Sequence, residues 1–529
     1  MLKTRIIRMA FAFMLGIGLT FPSMAYAAPP APTLHDDNPS GNFGDWYTGP
    51  VPQGSSSKPV ILFVQGLHSN YGTWTGTDSY YEAAYNAGYR TAFVQLQDAD
   101  GPGGNMWTNG PVLANVIRKV AAYYGVSTIN IIAHSKGGID AQTALVYYGA
   151  APYVNVVHQL STPNKGSELA DMAYSTWTSW LADILGQKDD AVYSLQTSYM
   201  ANFRTQTDGK SENSLTKTYM SGGEGDDGIF TSGWFAHAVL PGEDDGAVSV
   251  YSAMGLPYGI QSFTKNISHS AMAKASQTWS LVQPKLALAT ASMAATSAEA
   301  STDQTSASVK STNVEEPGDL ILRGGQVEGS TSVSFPLESG IQSAAFNVMT
   351  ASESTDVTLI SPSGIEYRPE AAQADSDPEG IFSKAVKHVF NVDKPEVGEW
   401  TLNLTGSGDA YFLLGKIETS VSTRVKAGKK VFQKGESAGL TVDFGTRIKG
   451  SIKHPGVTKS VPGRAFTPSQ NLQETQIDGS VQLPFTAPTE PGVYNLSFDV
   501  EGVNDKGEKV TRSVNYNFAV TDEQGNIGR

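Results

Sequence analysis

The sequence contains no cysteine. That excludes a disulfide scaffold, a thiol nucleophile and anchoring through a lipidated cysteine. Positive charge is scarce. The 37 Lys and Arg stand against 51 Asp and Glu, a net charge of −14, and a chain this acidic argues against nucleic acid as a partner. Long apolar runs are missing as well. The one candidate, Met9 to Phe21, is too short for a membrane span and leads to Ala25-Tyr26-Ala27. With Lys3, Arg5 and Arg8 ahead of it, this segment reads as a secretory signal cleaved after Ala27, so the expected location is extracellular. Its removal takes away three cations and no acids, moving the net charge from −14 to −17.

A chain of 529 residues can hold two or three domains. Residues 28–58 are an irregular lead-in. Val60 to Val64 is a continuous apolar run, the pattern of a strand buried on both faces. A helix is expected over Asp78 to Asn86, a strand over Thr91 to Gln95, and a helix from Val112 to Tyr124 stopped by Gly125. The strand Thr128 to Ala133, the helix Ile139 to Tyr148 and the strand Val154 to Leu160 continue the alternation. Strands alternating with helices predict an α/β fold, a doubly wound, mostly parallel sheet covered on both sides.

From Glu168, the residues Leu169, Met172, Ala173, Trp177, Trp180, Leu181, Ile184 and Leu185 fall on one helical stripe. It reads either as a lid or acyl-contacting wall, or as an ordinary core-facing helix. Thr216 to Met220 is the next expected strand, followed by the acidic loop Gly222 to Gly228. A last helix runs to about Leu281. Residues 286–317 are dominated by Ala, Ser, Thr and Glu and read as a linker that ends a 28–285 domain. Beyond it, short strands between Gly, Pro and Ser turns predict two β-sandwich modules, Ig-like or jelly-roll-like, over 318–420 and 421–529.

The stretch Ala133-His134-Ser135-Lys136-Gly137 joins a buried strand to a helix. A serine in so sharp a turn is pushed out above the sheet, and the next amide, at Lys136, can donate to a developing oxyanion. This is the pattern of a nucleophile elbow with Ala133 in the first small-residue position. A literal G-x-S-x-G occurs at Gly435 to Gly439, but no buried strand enters it and no helix leaves it, so Ser437 reads as a turn serine. Ser–His–Asp chemistry also needs an imidazole and a carboxylate. Chain order in such folds is Ser, acid, His, and of the eight histidines only His269 suitably follows an acid. Asp245, beside the turn-permitting Gly246, is the expected acid and Asp244 the alternative. The Leu67 amide, after the first central strand, is placed to be the second oxyanion donor.

Together Val60–Ser69, Ala133–Gly137, Ser161–Asp171 and Asp244–Val248 followed by His269 resemble secreted bacterial lipases and esterases of the α/β-hydrolase superfamily over residues 59–283. The resemblance implies Ser135, Asp245 and His269 as nucleophile, acid and base, and Leu67 and Lys136 as oxyanion amides. His134, Trp177, Trp180 and Leu181 are the expected substrate-contacting residues. Gln65 stands where that family usually has His. Several such lipases bind calcium through an Asp soon after the base; Ser270 to Ala273 offers none, so no metal or cofactor is expected. The expected activity is hydrolysis of lipid acyl esters, with a short-chain esterase or polyester depolymerase as the alternative. A surface-binding protein carrying an inactive hydrolase domain is the reading from another class. Adsorption to a lipid interface or insoluble polymer, and cell-wall contact by the C-terminal modules, are the partner expectations.

Overall fold

The computed structural model describes residues 28–528 except 186–187, 226–231, 287–313, 370–371, 375–380, 383, 421, 446 and 464–466. The signal-like segment, most of the linker and the Asp226/Asp227 loop lie outside the described residues.

Eight strands form the N-terminal sheet: β1 (Thr33–His35), β2 (Trp46–Thr48), β3 (Val60–Val64), β4 (Arg90–Val94), β5 (Ile129–His134), β6 (Val154–Leu160), β7 (Lys217–Gly223) and β8 (Ile260–Lys265). Their order is β1-β2-β4-β3-β5-β6-β7-β8. β3 to β8 run parallel, and β1 and β2 add an antiparallel edge. The uniform apolarity of β3 has a simple cause. Its alternate residues Val60, Leu62 and Val64 enter one core with Leu113, Ile117 and Leu145, while Ile61 and Phe63 enter another with Trp74, Tyr80 and Met272. Successive side chains of a strand point to opposite faces, so a strand covered by helices on both sides must be apolar throughout.

Two helices differ from their expected bounds. The one expected from Val112 spans Met106–Tyr124, because the Asn105 side chain accepts from the Trp107 and Thr108 amides at 2.9 and 3.0 Å and caps it early. Pro111 lies inside it and hid its start. The stripe from Glu168 breaks into Glu168–Ala173 and Ser179–Leu185.

In the C-terminal region, Leu320–Leu337 and Gly398–Thr419 pair antiparallel along their whole length. The far edge of Gly398–Thr419 takes Asp356–Ile360 on its first half and Ile341–Thr350 on its second, enclosing Phe335, Phe346 and Trp400. The last module packs a four-stranded against a six-stranded sheet around Phe432, Phe485 and Phe518. Val314–Pro317, expected in the linker, instead pairs with Arg424–Ala427 and belongs to this last module.

The modules are packed onto the hydrolase-like half. One apolar cluster combines Leu169, Tyr174, Leu181 and Phe235 with Leu322, Met349, Phe382, Phe412 and Ala519. Around it, Asn517 Oδ1 accepts from the Ser198 amide at 3.1 Å, and Lys416 Nζ donates to the His237 carbonyl at 2.8 Å.

Each half buries a neutral histidine. Burial, with a small push from Lys285, lowers His158 to about 3, and burial lowers His388 to about 4 against the opposing Asp409 and Asp356. An unfolded histidine takes up a proton near pH 6.5, so the unfolded state binds more protons than the fold between about pH 6.5 and 3–4. Stability is therefore expected to be flat above pH 7 and to fall as the pH drops below about 6.5. Urea midpoints at pH 8, 6 and 5 check this, with His158→Gln flattening the slope.

Candidate active site

Ser135 leaves β5 with φ 52°, in the left-handed region that strains a non-glycine residue, and its amide donates to the Leu160 carbonyl at 2.9 Å. The helix Gly137–Tyr147 starts at once. A Cβ on Gly137 would stand 2.3 Å from the Gln65 carbonyl oxygen, and one on Gly138 2.1 Å from Thr162 Oγ1. The close passage of helix over strand rests on these two glycines. Ala133, fully buried in β5, does no harm on the other side.

The strands β7 and β8 carry the rest. After β7, Gly246 takes φ 91° and turns Asp245 inward. Asp245 Oδ1 accepts from the Ala247 and Val248 amides at 3.1 and 2.8 Å, and Oδ2 meets His269 Nδ1 at 2.9 Å. Its carbonyl also accepts from the His269 amide at 2.8 Å. Burial alone would push this carboxyl up; the His269 ring, Ser161 and the Val248 amide outweigh it and hold Asp245 below its ordinary value. Asp245 is therefore the ionised partner of His269. Asp244, the alternative acid, turns the other way, pairing with His237 Nδ1 at 2.5 Å and the Gly246 amide at 2.9 Å.

His269 begins the short turn Ser270–Ala273 after β8. With Nδ1 held by Asp245, Nε2 is the ring nitrogen that would serve a hydroxyl. Ser135 and His269 line one pocket together with Leu67, Pro163, Ser167, Leu169, Leu195, Phe235 and Val248. Met349, Ile381, Phe382 and Lys387 of the first β module line the same pocket. Leu67 thus stands opposite the elbow. The Lys136 side chain is turned away, fully buried between Asp98 and Asp140.

The expected substrate-contacting residues lie elsewhere, and each has a physical reason. His134 is wholly buried beneath the site, its Nε2 2.9 Å from the His269 carbonyl oxygen. Leu181 is buried in the cluster shared with the β modules, Trp177 packs on that cluster half-buried, and Trp180 is 47% exposed. The stripe faces the β modules because the long strands Leu320–Leu337 and Gly398–Thr419 lie against it.

Three residues given no site role from the sequence, Ser161, Ser167 and Gln65, support the site. Ser161, at φ 51°, hydrogen-bonds Asp245. Ser167 Oγ donates to the Ala247 carbonyl at 2.9 Å, fastening the acid loop to the Thr162–Ser167 stretch. Gln65 replaces the usual His with a different fastening: its amide donates to the Val94 carbonyl at 2.8 Å and accepts from the Leu96 amide at 2.7 Å. Ser437, of the literal motif, is exposed at the start of the strand Ser437–Asp443.

No protein-family profile and no curated protein matches the chain. Among solved structures, the propeptide form of Bacillus licheniformis lipase BlEst2 is 25% identical, with a TM-score of 0.72, over 92% of this chain and 99% of its own. This chain is a carboxylic ester hydrolase with the α/β-hydrolase lipase/esterase fold. The mature form of the same Bacillus licheniformis lipase is 39% identical over 47% of this hydrolase and 100% of its own chain, with a TM-score of 0.43. In the hydrolase, the turn after His269 carries no acid. Among the described residues no group of three or more His, Asp or Glu is placed to hold a metal ion.

Proposed function

We propose that this hydrolase is a secreted serine enzyme that cleaves lipid acyl esters and is made in a latent form. The observation that carries the reading is the shared pocket of Ser135 and His269, with Asp245 on the far side of the imidazole. In the reaction, His269 takes the Ser135 proton as Oγ attacks the ester carbonyl. The Leu67 and Lys136 amides hold the tetrahedral oxyanion. His269 then protonates the departing alcohol, leaving an acyl-serine, and activates the water that releases the acid. Asp245 keeps the imidazole in the required tautomer and stabilises its protonated state.

The walls favour an acyl chain over a polar group, since apolar residues, Leu67, Leu169, Leu195, Phe235 and Val248 among them, supply most of the lining. Latency is supported by Met349, Ile381 and Phe382, which close the same pocket, and by the propeptide form of the similar Bacillus licheniformis lipase. The export signal at residues 1–27 supports secretion. In this reading the C-terminal modules cover the pocket.

A chain-length series tests the substrate. After limited proteolysis of the full chain, turnover is expected to favour medium and long acyl esters and to rise on emulsions. A preference for short soluble esters with no gain on emulsions would make the enzyme an esterase or polyester depolymerase.

A further inference from the structure

A buried polar cluster lies directly behind the oxyanion hole. Asp98 follows β4 and is 2% exposed. Its Oδ1 accepts from the His68 amide at 3.3 Å, and its Oδ2 accepts from Lys136 Nζ and Asn109 Nδ2, both at 2.9 Å. Asp140, on the elbow helix, also accepts from Lys136 Nζ at 2.9 Å and from Asn109 Nδ2 at 3.2 Å. Asp140 makes no hydrogen bond to the 65–69 loop. Asp98 therefore touches both sides of the hole: the peptide that follows Leu67, and the side chain of the residue that supplies the other amide.

The loop needs such a hold. His68 sits at φ 50°, a conformation that costs a non-glycine residue free energy unless its surroundings enforce it. Donors must also stand within about 0.5 Å of their productive positions to act on the transition state. The ammonium stays charged in this setting. Burial pushes Lys136 down, but Asp140 and Asp98 outweigh it and raise it to about 12. Lys136 paired with Asp98 makes a rigid strut to the His68 amide, and rotating either side chain away would strand a buried charge.

We propose that Asp98 is a positioning residue for the oxyanion hole, joining the Leu67–His68 loop to the Lys136 elbow through one carboxylate. The inference rests on the assignment of Leu67 and Lys136 as oxyanion amides.

Asp98→Asn keeps an acceptor for the His68 amide but turns an NH₂ toward Lys136 and Asn109, which are both donors. The control is Asp140→Asn, equally buried on the same lysine but without contact to the loop. Full-chain variants, treated identically with protease, are assayed on a soluble ester well below their melting temperatures. Asp98→Asn is expected to lower kcat about 10- to 100-fold with little change in KM, short of the about 10²–10³ for deleting a donor. Affinity for an alkyl boronic acid, which mimics the tetrahedral state, should weaken in parallel. Asp140→Asn should leave both within about threefold. Asp98→Glu, which keeps the charge but displaces the oxygen, should repeat the kcat loss if Asp98→Asn does not fold. Equal losses for Asp98→Asn and Asp140→Asn, or a lowered melting temperature with unchanged kcat and boronate affinity, would overturn the proposal. Activity surviving in Ser135→Ala would instead remove the site assignment beneath it.

Discussion

Asp245→Asn is expected to reduce kcat about 10⁴-fold while leaving the fold and KM nearly intact. The carboxylate is wholly enclosed, and its two oxygens are spoken for by the Val248 amide and by His269 Nδ1. An asparagine fits that space. However, its NH₂ would face Nδ1 and favour the tautomer with its proton on Nε2, the atom that must accept from Ser135. The base is then blocked, with no loss of packing. His269→Ala should cost a similar factor, and the double variant little more, because the two residues act as one unit. Initial rates on a soluble ester, with circular dichroism to confirm folding, check this. If Asp244→Asn proved the damaging change and Asp245→Asn the mild one, the acid would have been misplaced by one residue.

The second large effect concerns the cover. Phe382 meets Phe235 edge-on at 5.4 Å between ring centroids, and Phe235 meets Phe412 at 6.0 Å. Ile381, Phe382 and Met349 are almost fully buried. In the proposed latent form the cover is held mainly by burial of apolar surface over the pocket. Replacing Phe382 by Ser removes about 1.5–2.5 kcal/mol of that burial, which corresponds to roughly a ten- to hundredfold larger open fraction. The full-chain Phe382→Ser variant should therefore hydrolyse a soluble ester about ten- to hundredfold faster than the unaltered full chain, with no proteolysis. Proteolysis should abolish the difference between them. An unaltered full chain that is already as active as the cleaved protein would remove the latent state from the account.

Much of the candidate site's geometry was legible because it is local. The β3 run, the elbow and the turn at Gly246 each place a side chain within a few residues of the signal that announces it. Context decided between two serines: the imperfect Ala133–Gly137 sits between a buried strand and a helix, while the perfect Gly435–Gly439 does not. What was not legible is what depends on contacts between distant parts of the chain. The stripe from Leu169 to Leu185 was open to two readings, a lid or a core-facing helix, and nothing in it named its partner. Its partners, the strands Leu320–Leu337 and Gly398–Thr419, show the alternation of any sandwich. Likewise Phe382 and Met349 are apolar residues among many, and nothing in their own neighbourhood points to Ser135. In the sequence Asp98 is one more acid, two residues before Asp100. Only the fold brings it to Lys136, a residue whose charge would otherwise be read as exposed.

The most direct test of the central claim is covalent labelling with a fluorophosphonate, followed by peptide mass spectrometry. The account predicts a single adduct on Ser135, absent in Ser135→Ala and slowed strongly in His269→Ala. An adduct on another serine, or undiminished labelling in Ser135→Ala, would contradict it.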